Sequence, residues 1–344
     1  VDAIRKRCEC EVLGYTGKPD SYYRAIINWV KQRYDLDVTK EMINFVPGIV
    51  PGIGMAMNSF TRPGDKVMIQ PPVYHPFAWV TTRNERTLVT NPLKWENGMY
   101  RMDLDAFREQ VKGCKLFILC NPHNPGGVVW TEDELRTVAE ICYEEKVLVF
   151  SDEIHADLTL PPYKHRPFAT ISEKAKMNSV TFMSPSKAFN MPGLAASHAI
   201  IFNEDLRARF RKFMDAGELD MGHVFAFLSV EAAYTHGTEW LDQCLAYIQG
   251  NIDYVDNFLK THAPRIKAIR PQASYLVWLD CRELGLNQEA LNDFFADKAH
   301  LALNDGAMFG KEGTGYMRLN VASPRSVIEQ AMKQLAEAYQ AMSF

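Results

Sequence analysis

A lysine sits within Ser184-Pro185-Ser186-Lys187-Ala188-Phe189-Asn190-Met191-Pro192-Gly193, directly after the apolar, β-rich run Ser179-Val180-Thr181-Phe182-Met183. An amine just past a strand can form a Schiff base with an aldehyde cofactor, and the hydroxyls of Ser184 and Ser186 can bind that cofactor's phosphate. Pyridoxal 5'-phosphate needs such a lysine and an acid partner for its ring nitrogen. By itself the decapeptide reads more simply as a surface lysine in a Ser/Pro turn. The choice therefore depends on what other segments the chain delivers to the same place.

Two further strand ends carry suitable groups. Lys115-Leu116-Phe117-Ile118-Leu119-Cys120 is a continuous apolar run, the pattern of a strand buried on both faces, and it leads into Asn121-Pro122-His123-Asn124-Pro125-Gly126-Gly127. Val147-Leu148-Val149-Phe150 is another, ending in Ser151-Asp152-Glu153-Ile154-His155. Between them Thr131 and Glu134 form a capping box for a helix reaching about residue 145. Apolar strands separated by helices predict βαβ units and a mostly parallel sheet, in which ligands lie at the carboxyl ends of the strands. Asn124, Asp152 and Lys187 all fall just past such ends.

Earlier segments follow the same logic. A helix is expected over residues 21–34, where Ala25, Ile26, Trp29 and Val30 recur at helical spacing. The strand Ile43-Asn44-Phe45-Val46 turns through Pro47-Gly48-Ile49-Val50-Pro51-Gly52 into an apolar helix over 53–60. Strand, glycine and helix in that order can present backbone N–H groups to a phosphate, or can be an ordinary βα turn. After a strand over 66–70, Tyr74 is held among Pro71, Pro72 and Pro76, placed either to stack on a flat ring or to cover a loop.

From residue 204 the chain turns mainly helical, with helices expected over 205–214, 224–235 and 239–261. Residues 266–279 read as strand around Pro271, Tyr316-Met317-Arg318-Leu319-Asn320-Val321 as another strand, and 326–341 as a final helix. This part has the pattern of a smaller α+β domain with a boundary near residue 240.

At 344 residues the chain can bury a large core and divide into two domains. Hydrophobic and charged contents of 47% and 23%, with a net charge of −4, give no reason to expect nucleic acid or an anionic membrane as partner. No apolar run approaches the roughly 20 residues of a membrane helix. The seven cysteines are scattered without zinc-site spacing, so reduced thiols in the cytoplasm are expected, and Cys8-x-Cys10 has no second pair to complete a metal site. The opening Val1-Asp2-Ala3-Ile4-Arg5-Lys6-Arg7 reads as the middle of a helix, so residues are expected upstream.

Together the Asn121–Gly126, Ser151–His155 and Ser184–Lys187 segments and Tyr316-Met317-Arg318-Leu319-Asn320 resemble the fold-type I pyridoxal-phosphate enzymes. More narrowly, the chain is similar to the MalY/PatB-type cystathionine β-lyases, or C–S lyases, of the class I/II aminotransferase superfamily. The likeness extends to Gly14-Tyr15-Thr16-Gly17-Lys18-Pro19-Asp20 and Glu231-Ala232-Ala233-Tyr234. It implies an α/β, PLP-dependent transferase-like fold: a large domain over 16–239 with a mostly parallel sheet, and a small domain from 1–15 and 240–344.

The resemblance also implies roles. Lys187 would be the Schiff-base lysine, Asp152 the partner of the pyridinium nitrogen, Asn124 a donor to the phenolic oxygen near the substrate carboxylate, and Tyr74 the stacking ring. The N–H groups of Ile49 and Val50, with Ser184 and Ser186, would hold the phosphate, joined by Tyr15 from the other chain of a homodimer whose sites lie at the subunit interface. Arg318 would grip the α-carboxylate of an amino-acid substrate. Aminotransferases usually carry an arginine eight residues after the lysine and a tyrosine three after the aspartate. Here those positions are Ala195 and His155, as in the β-lyase branch. The implied reaction is α,β-elimination of L-cystathionine or a related cysteine S-conjugate. An aminotransferase on the same scaffold is the alternative, and a regulatory binding protein is a third.

Overall fold

The computed structural model describes residues 1–342 and is an α/β protein built on a seven-stranded sheet. The chain opens with helix α1 (Asp2–Cys8) and α2 (Asp20–Tyr34), then strand β1 (Ile43–Val46), α3 (Ile49–Phe60), β2 (Lys66–Ile69) and α4 (Pro76–Arg83). Short strands β3 (Thr87–Thr90), β4 (Lys94–Glu96) and β5 (Met99–Arg101) precede α5 (Leu104–Gln110) and β6 (Cys114–Cys120). The middle continues through α6 (Glu132–Glu144), β7 (Leu148–Asp152), α7 (Glu173–Met177), β8 (Ser179–Met183) and β9 (Ser197–Ile200). Three helices follow, α8 (Glu204–Ala216), α9 (Val224–His236) and α10 (Thr238–His262), then β10 (Lys267–Ile269) and β11 (Leu276–Asp280). The last elements are α11 (Gln288–Asp293), β12 (Asn304–Asp305), β13 (Tyr316–Asn320) and α12 (Arg325–Gln340).

The large sheet runs β1-β9-β8-β7-β6-β2-β3. Strands β8, β7, β6, β2 and β3 pair in parallel, and β9 pairs antiparallel with both β1 and β8. The sheet is thus mostly parallel with one reversed strand. Its central strands are buried on both faces, and alternate residues feed two separate cores. On β6, Leu116 and Ile118 pack towards α3, α4 and α8, while Phe117 and Leu119 pack towards α5 and α6. Covering helices on both sides explain why β6 and β7 read as unbroken apolar runs.

The capping box expected at the start of α6 is present: Glu134 N–H donates to Thr131 Oγ1 at 3.2 Å, and Thr131 N–H donates to the Glu134 carboxylate at 2.9 Å. α3 begins at Ile49, four residues earlier than the sequence suggested, with Pro51 inside its first turn. There the absent proline N–H costs nothing, because that position has no intrahelical acceptor. Residues 266–279 form two strands, not one. Pro271 and Ser274, whose φ is +81°, break the run between β10 and β11.

A second, antiparallel sheet runs β10-β11-β13-β12 and pairs Trp278 of β11 with Arg318 of β13. Its core is continuous with α2, α9, α10 and α12. The two sheets approach each other closely beside Gly127. Gln272 N–H donates to Gly127 O at 2.8 Å, and a Cβ on Gly127 (φ +66°) would lie 2.5 Å from Pro271 Cβ. Glycine is required there by both its backbone angle and the contact.

Candidate active site

The carboxyl ends of β1, β6, β7 and β8 open, with the amino end of the reversed β9, into one cavity of about 380 Å³. Asn124, Asp152 and Lys187 all line it. Parallel strands put their carboxyl ends on one edge, so groups 28 and 35 positions apart in sequence meet there.

One wall is the first turn of α3, with Gly48, Ile49 and Val50 facing the cavity. Gly48 caps this helix without any side-chain hydrogen bond. The N–H groups of Ile49 and Val50 have no intrahelical acceptor, and the next residue, Pro51, has no N–H. Two free donors and the positive end of a 12-residue helix therefore point at the same space.

Asp152 ends β7 and is 4% exposed. Its Oδ1 accepts from Ile154 N–H at 3.1 Å, and no cation lies within ion-pair distance among the described residues. Burial pushes its carboxyl up to about 7, Glu153 adds to the rise, and the Ile154 N–H and Lys187 oppose it. A buried carboxylate in this condition gains from any N–H⁺ brought beside it.

Arg318 enters from the small sheet. Its Nη1 donates to Asn124 Oδ1 at 2.9 Å and its Nη2 to Asn304 Oδ1 at 2.7 Å, while Nε is buried without a partner. The guanidinium lies 4.7 Å over the Phe309 ring. No carboxylate pairs with it among the described residues, so a half-buried positive charge faces the cavity unmatched. Because Arg318 occupies the amide oxygen of Asn124, the Asn124 side-chain N–H groups are left as free donors.

Lys187 lines the cavity with neither a hydrogen bond nor an ion pair among the described residues, and Ser186 is buried beside it. Ser184 is placed differently. Its Oγ donates to Ala196 O at 2.7 Å and accepts from Ser186 N–H at 3.1 Å, and it is not among the lining residues. That hydroxyl is committed to the loop carrying Lys187. Asn190 and Ala195, with φ of +50° and +48°, mark the strained turns of the same loop, and Ala195 lines the cavity.

Tyr74 is half-buried at the cavity, edge-on to Phe77 at 5.7 Å. Burial raises its phenol, and the charge of Asp152 adds to this. His155 also lines the cavity, with Nδ1 buried and unpartnered; burial, Lys187 and Arg318 push it down to about 3, so the ring is neutral. Tyr15 lies elsewhere, 98% exposed in a separate groove with Met221 and Phe225. Tyr275, Asn320 and Cys120 complete the wall and were not singled out from the sequence. Asn320 could have been, since it shares a face of β13 with Arg318 two residues earlier.

The sequence matches the family of aminotransferases of class I and II over residues 9–335. It is 38% identical over 339 residues to cystathionine β-lyase PatB of Bacillus subtilis (strain 168), covering 98% of this chain and 88% of that protein. Among solved structures, cystalysin from Treponema denticola, which contains a pyridoxal 5'-phosphate cofactor, superposes with a TM-score of 0.97 at 34% identity, over 99% of this chain and 87% of that one. The PLP-bound C–S lyase of Staphylococcus hominis gives 0.91 at 34% identity, over 98% and 87%. With a family match along most of its length and PatB at this identity, the chain belongs to the aminotransferase class I and II family.

Proposed function

We propose that this protein is a pyridoxal 5'-phosphate-dependent carbon–sulfur β-lyase, converting L-cystathionine or related cysteine S-conjugates and water into a thiol, pyruvate and ammonia. The observation that carries the reading is Asp152, a buried carboxyl group with no cation among the described residues, in one cavity with Lys187, which pairs with none of them, and the open end of α3.

The residues present fit the cofactor. Asp152 would hold the ring nitrogen, Tyr74 and Asn124 the ring and its phenolic oxygen, and Lys187 the aldehyde carbon. The phosphate would be held by the N–H groups of Ile49 and Val50 with the hydroxyl of Ser186. Ser184 would act by shaping the loop. When bound, the cofactor supplies an electron sink for the bonds at the substrate's Cα.

The protein's own groups do the rest. Arg318 grips the α-carboxylate with the guanidinium N–H groups left over from its bonds to Asn124 and Asn304. That grip holds the Cα–H bond towards Lys187, whose amine takes the proton. The thiolate leaves with the electron pair of the C–S bond. Neutral His155 and the uncharged Ala195 stand where aminotransferases usually carry tyrosine and arginine, which supports elimination over amino transfer. A homodimer, with Tyr15 of each chain reaching the phosphate site of the other, fits Tyr15's exposure, and a division into 16–239 and 1–15 with 240–344 would keep the seven-stranded sheet in one part and the four-stranded sheet in the other. A cytoplasmic location is consistent with free thiols at all seven cysteines.

Purified holoenzyme should release pyruvate from L-cystathionine in proportion to thiol. Conversion of the cofactor to its amine form by a keto-acid-reversible route, with no pyruvate, would contradict the reading.

A further inference from the structure

A second cavity, of about 310 Å³, adjoins the first and shares Lys187, Tyr275 and Asn320 with it. Its far wall is one face of α10, where Trp240, Cys244, Tyr247 and Ile248 recur at helical spacing. Two of these are fixed in place. Trp240 stacks on Phe189, two residues from Lys187, with centroids 5.8 Å apart, and the Tyr247 hydroxyl accepts from Arg325 N–H at 2.6 Å. Both aromatic side chains remain about half exposed, at 48% and 49%, so the space reaches the surface.

We infer that this cavity receives the sulfur substituent of the substrate and selects for neutral, apolar groups, aryl or branched alkyl. The inference rests on the lyase reading and names the substrate class within it. A substrate held by its carboxylate at Arg318, with Cα at Lys187, has its side chain at the point the two cavities share. Lys187, at that shared point, is the sole charged residue of the described lining; beyond it the polar groups are those of Asn190, Ser323 and Tyr247, with no carboxylate and no arginine. The charged amino-acid end of a cystathionine leaving group would meet no counter-charge there. An apolar S-substituent would instead cover Ile248 and the Trp240 and Tyr247 rings, and its size matches a ligand pocket at the small end of the usual range.

The test compares holoenzyme kcat/KM for S-benzyl-L-cysteine, S-methyl-L-cysteine and L-cystathionine in wild type, Cys244→Trp and Trp240→Ala. Wild type should prefer S-benzyl over S-methyl by about tenfold or more, and over L-cystathionine as well. Filling the cavity with Cys244→Trp should lower the benzyl-to-methyl ratio by about tenfold, and Trp240→Ala should lower it by a few-fold. If both variants leave that ratio unchanged, or wild type prefers L-cystathionine, the cavity does not bind the substituent. If no conjugate yields pyruvate, the lyase reading fails and takes this inference with it.

Discussion

Asp152 and Glu153 are neighbours in sequence, both buried at the end of β7, and their surroundings differ completely. Glu153 belongs to a closed polar knot behind the cavity. It accepts from Ser151 Oγ at 2.8 Å and Phe168 N–H at 2.9 Å, and it pairs with His165 Nε2 at 2.7 Å. A few residues on, Asp157 accepts from Trp29 Nε1 at 3.0 Å and from the Tyr34 hydroxyl. Asp152 faces the cavity with one backbone donor and no cation among the described residues. A saturated buried acid holds structure together, whereas an unsaturated one beside a cavity waits for a ligand. Substitutions on the two sides should therefore separate activity from stability.

The largest separation is expected at Lys187. Lys187→Ala should lower pyruvate formation by at least about 10⁴-fold while leaving the melting temperature of the apo-protein unchanged, as assayed by coupled pyruvate detection and calorimetry. Loss of folding in that variant would move Lys187 to the structural side. Next comes Arg318→Lys, which keeps the charge and loses the planar fork. A fall of roughly 10–100-fold in kcat/KM, mostly through KM, is expected, and an unchanged KM would remove Arg318 from carboxylate binding.

On the knot side, Glu153→Gln should destabilise the fold by about 1–3 kcal/mol in denaturant titration, because His165 and two further donors lose a charged acceptor. Its kcat per folded molecule should stay near wild type. A tenfold fall in kcat at full stability would mean that the knot takes part in the chemistry.

The most gradual effect is a slope with pH, spread over about three units and read against Asp152→Asn. Folded Asp152 keeps its proton up to about 7 against an ordinary 3.8, so the folded state binds more protons across that window. Asp152 therefore makes apo-protein stability fall as pH rises from about 4 to 7, by up to about 1.4 kcal/mol per pH unit. His123, His155 and His198, buried and pushed down, act oppositely: their contribution is present above about 6.5 and lost as pH falls. The difference between wild type and Asp152→Asn isolates the carboxylate, and saturation with cofactor should flatten that difference. A flat difference in the apo-protein would show that Asp152 is already paired.

Much of this division was legible in the chain. The strands ending at Cys120, Asp152 and Met183 show as apolar runs because burial on both faces removes the alternation that partly exposed strands carry. The residues past their ends then fall on one edge by topology alone. What escaped depends on contacts distant in sequence. Tyr275 enters the cavity wall only because the chain breaks at Ser274, a residue with no glycine-like signature for its positive φ. Ser184 looks identical to Ser186 in sequence, and the Ala196 carbonyl twelve residues on separates their roles. Glu153 gave no signal beside Asp152, since its partners come from His165 and Phe168. The exposed strand β3 lacks an apolar pattern strong enough to read.

Lys187 would take the cofactor aldehyde at the edge where Asp152 and Asn124 meet. Borohydride reduction of the yellow holoenzyme, followed by peptide mass mapping, tests it directly. A pyridoxyl group fixed to the peptide bearing Lys187, absent from Lys187→Ala, is the result predicted. A label on another lysine, or a protein that takes up no cofactor and shows no visible absorption, would contradict it.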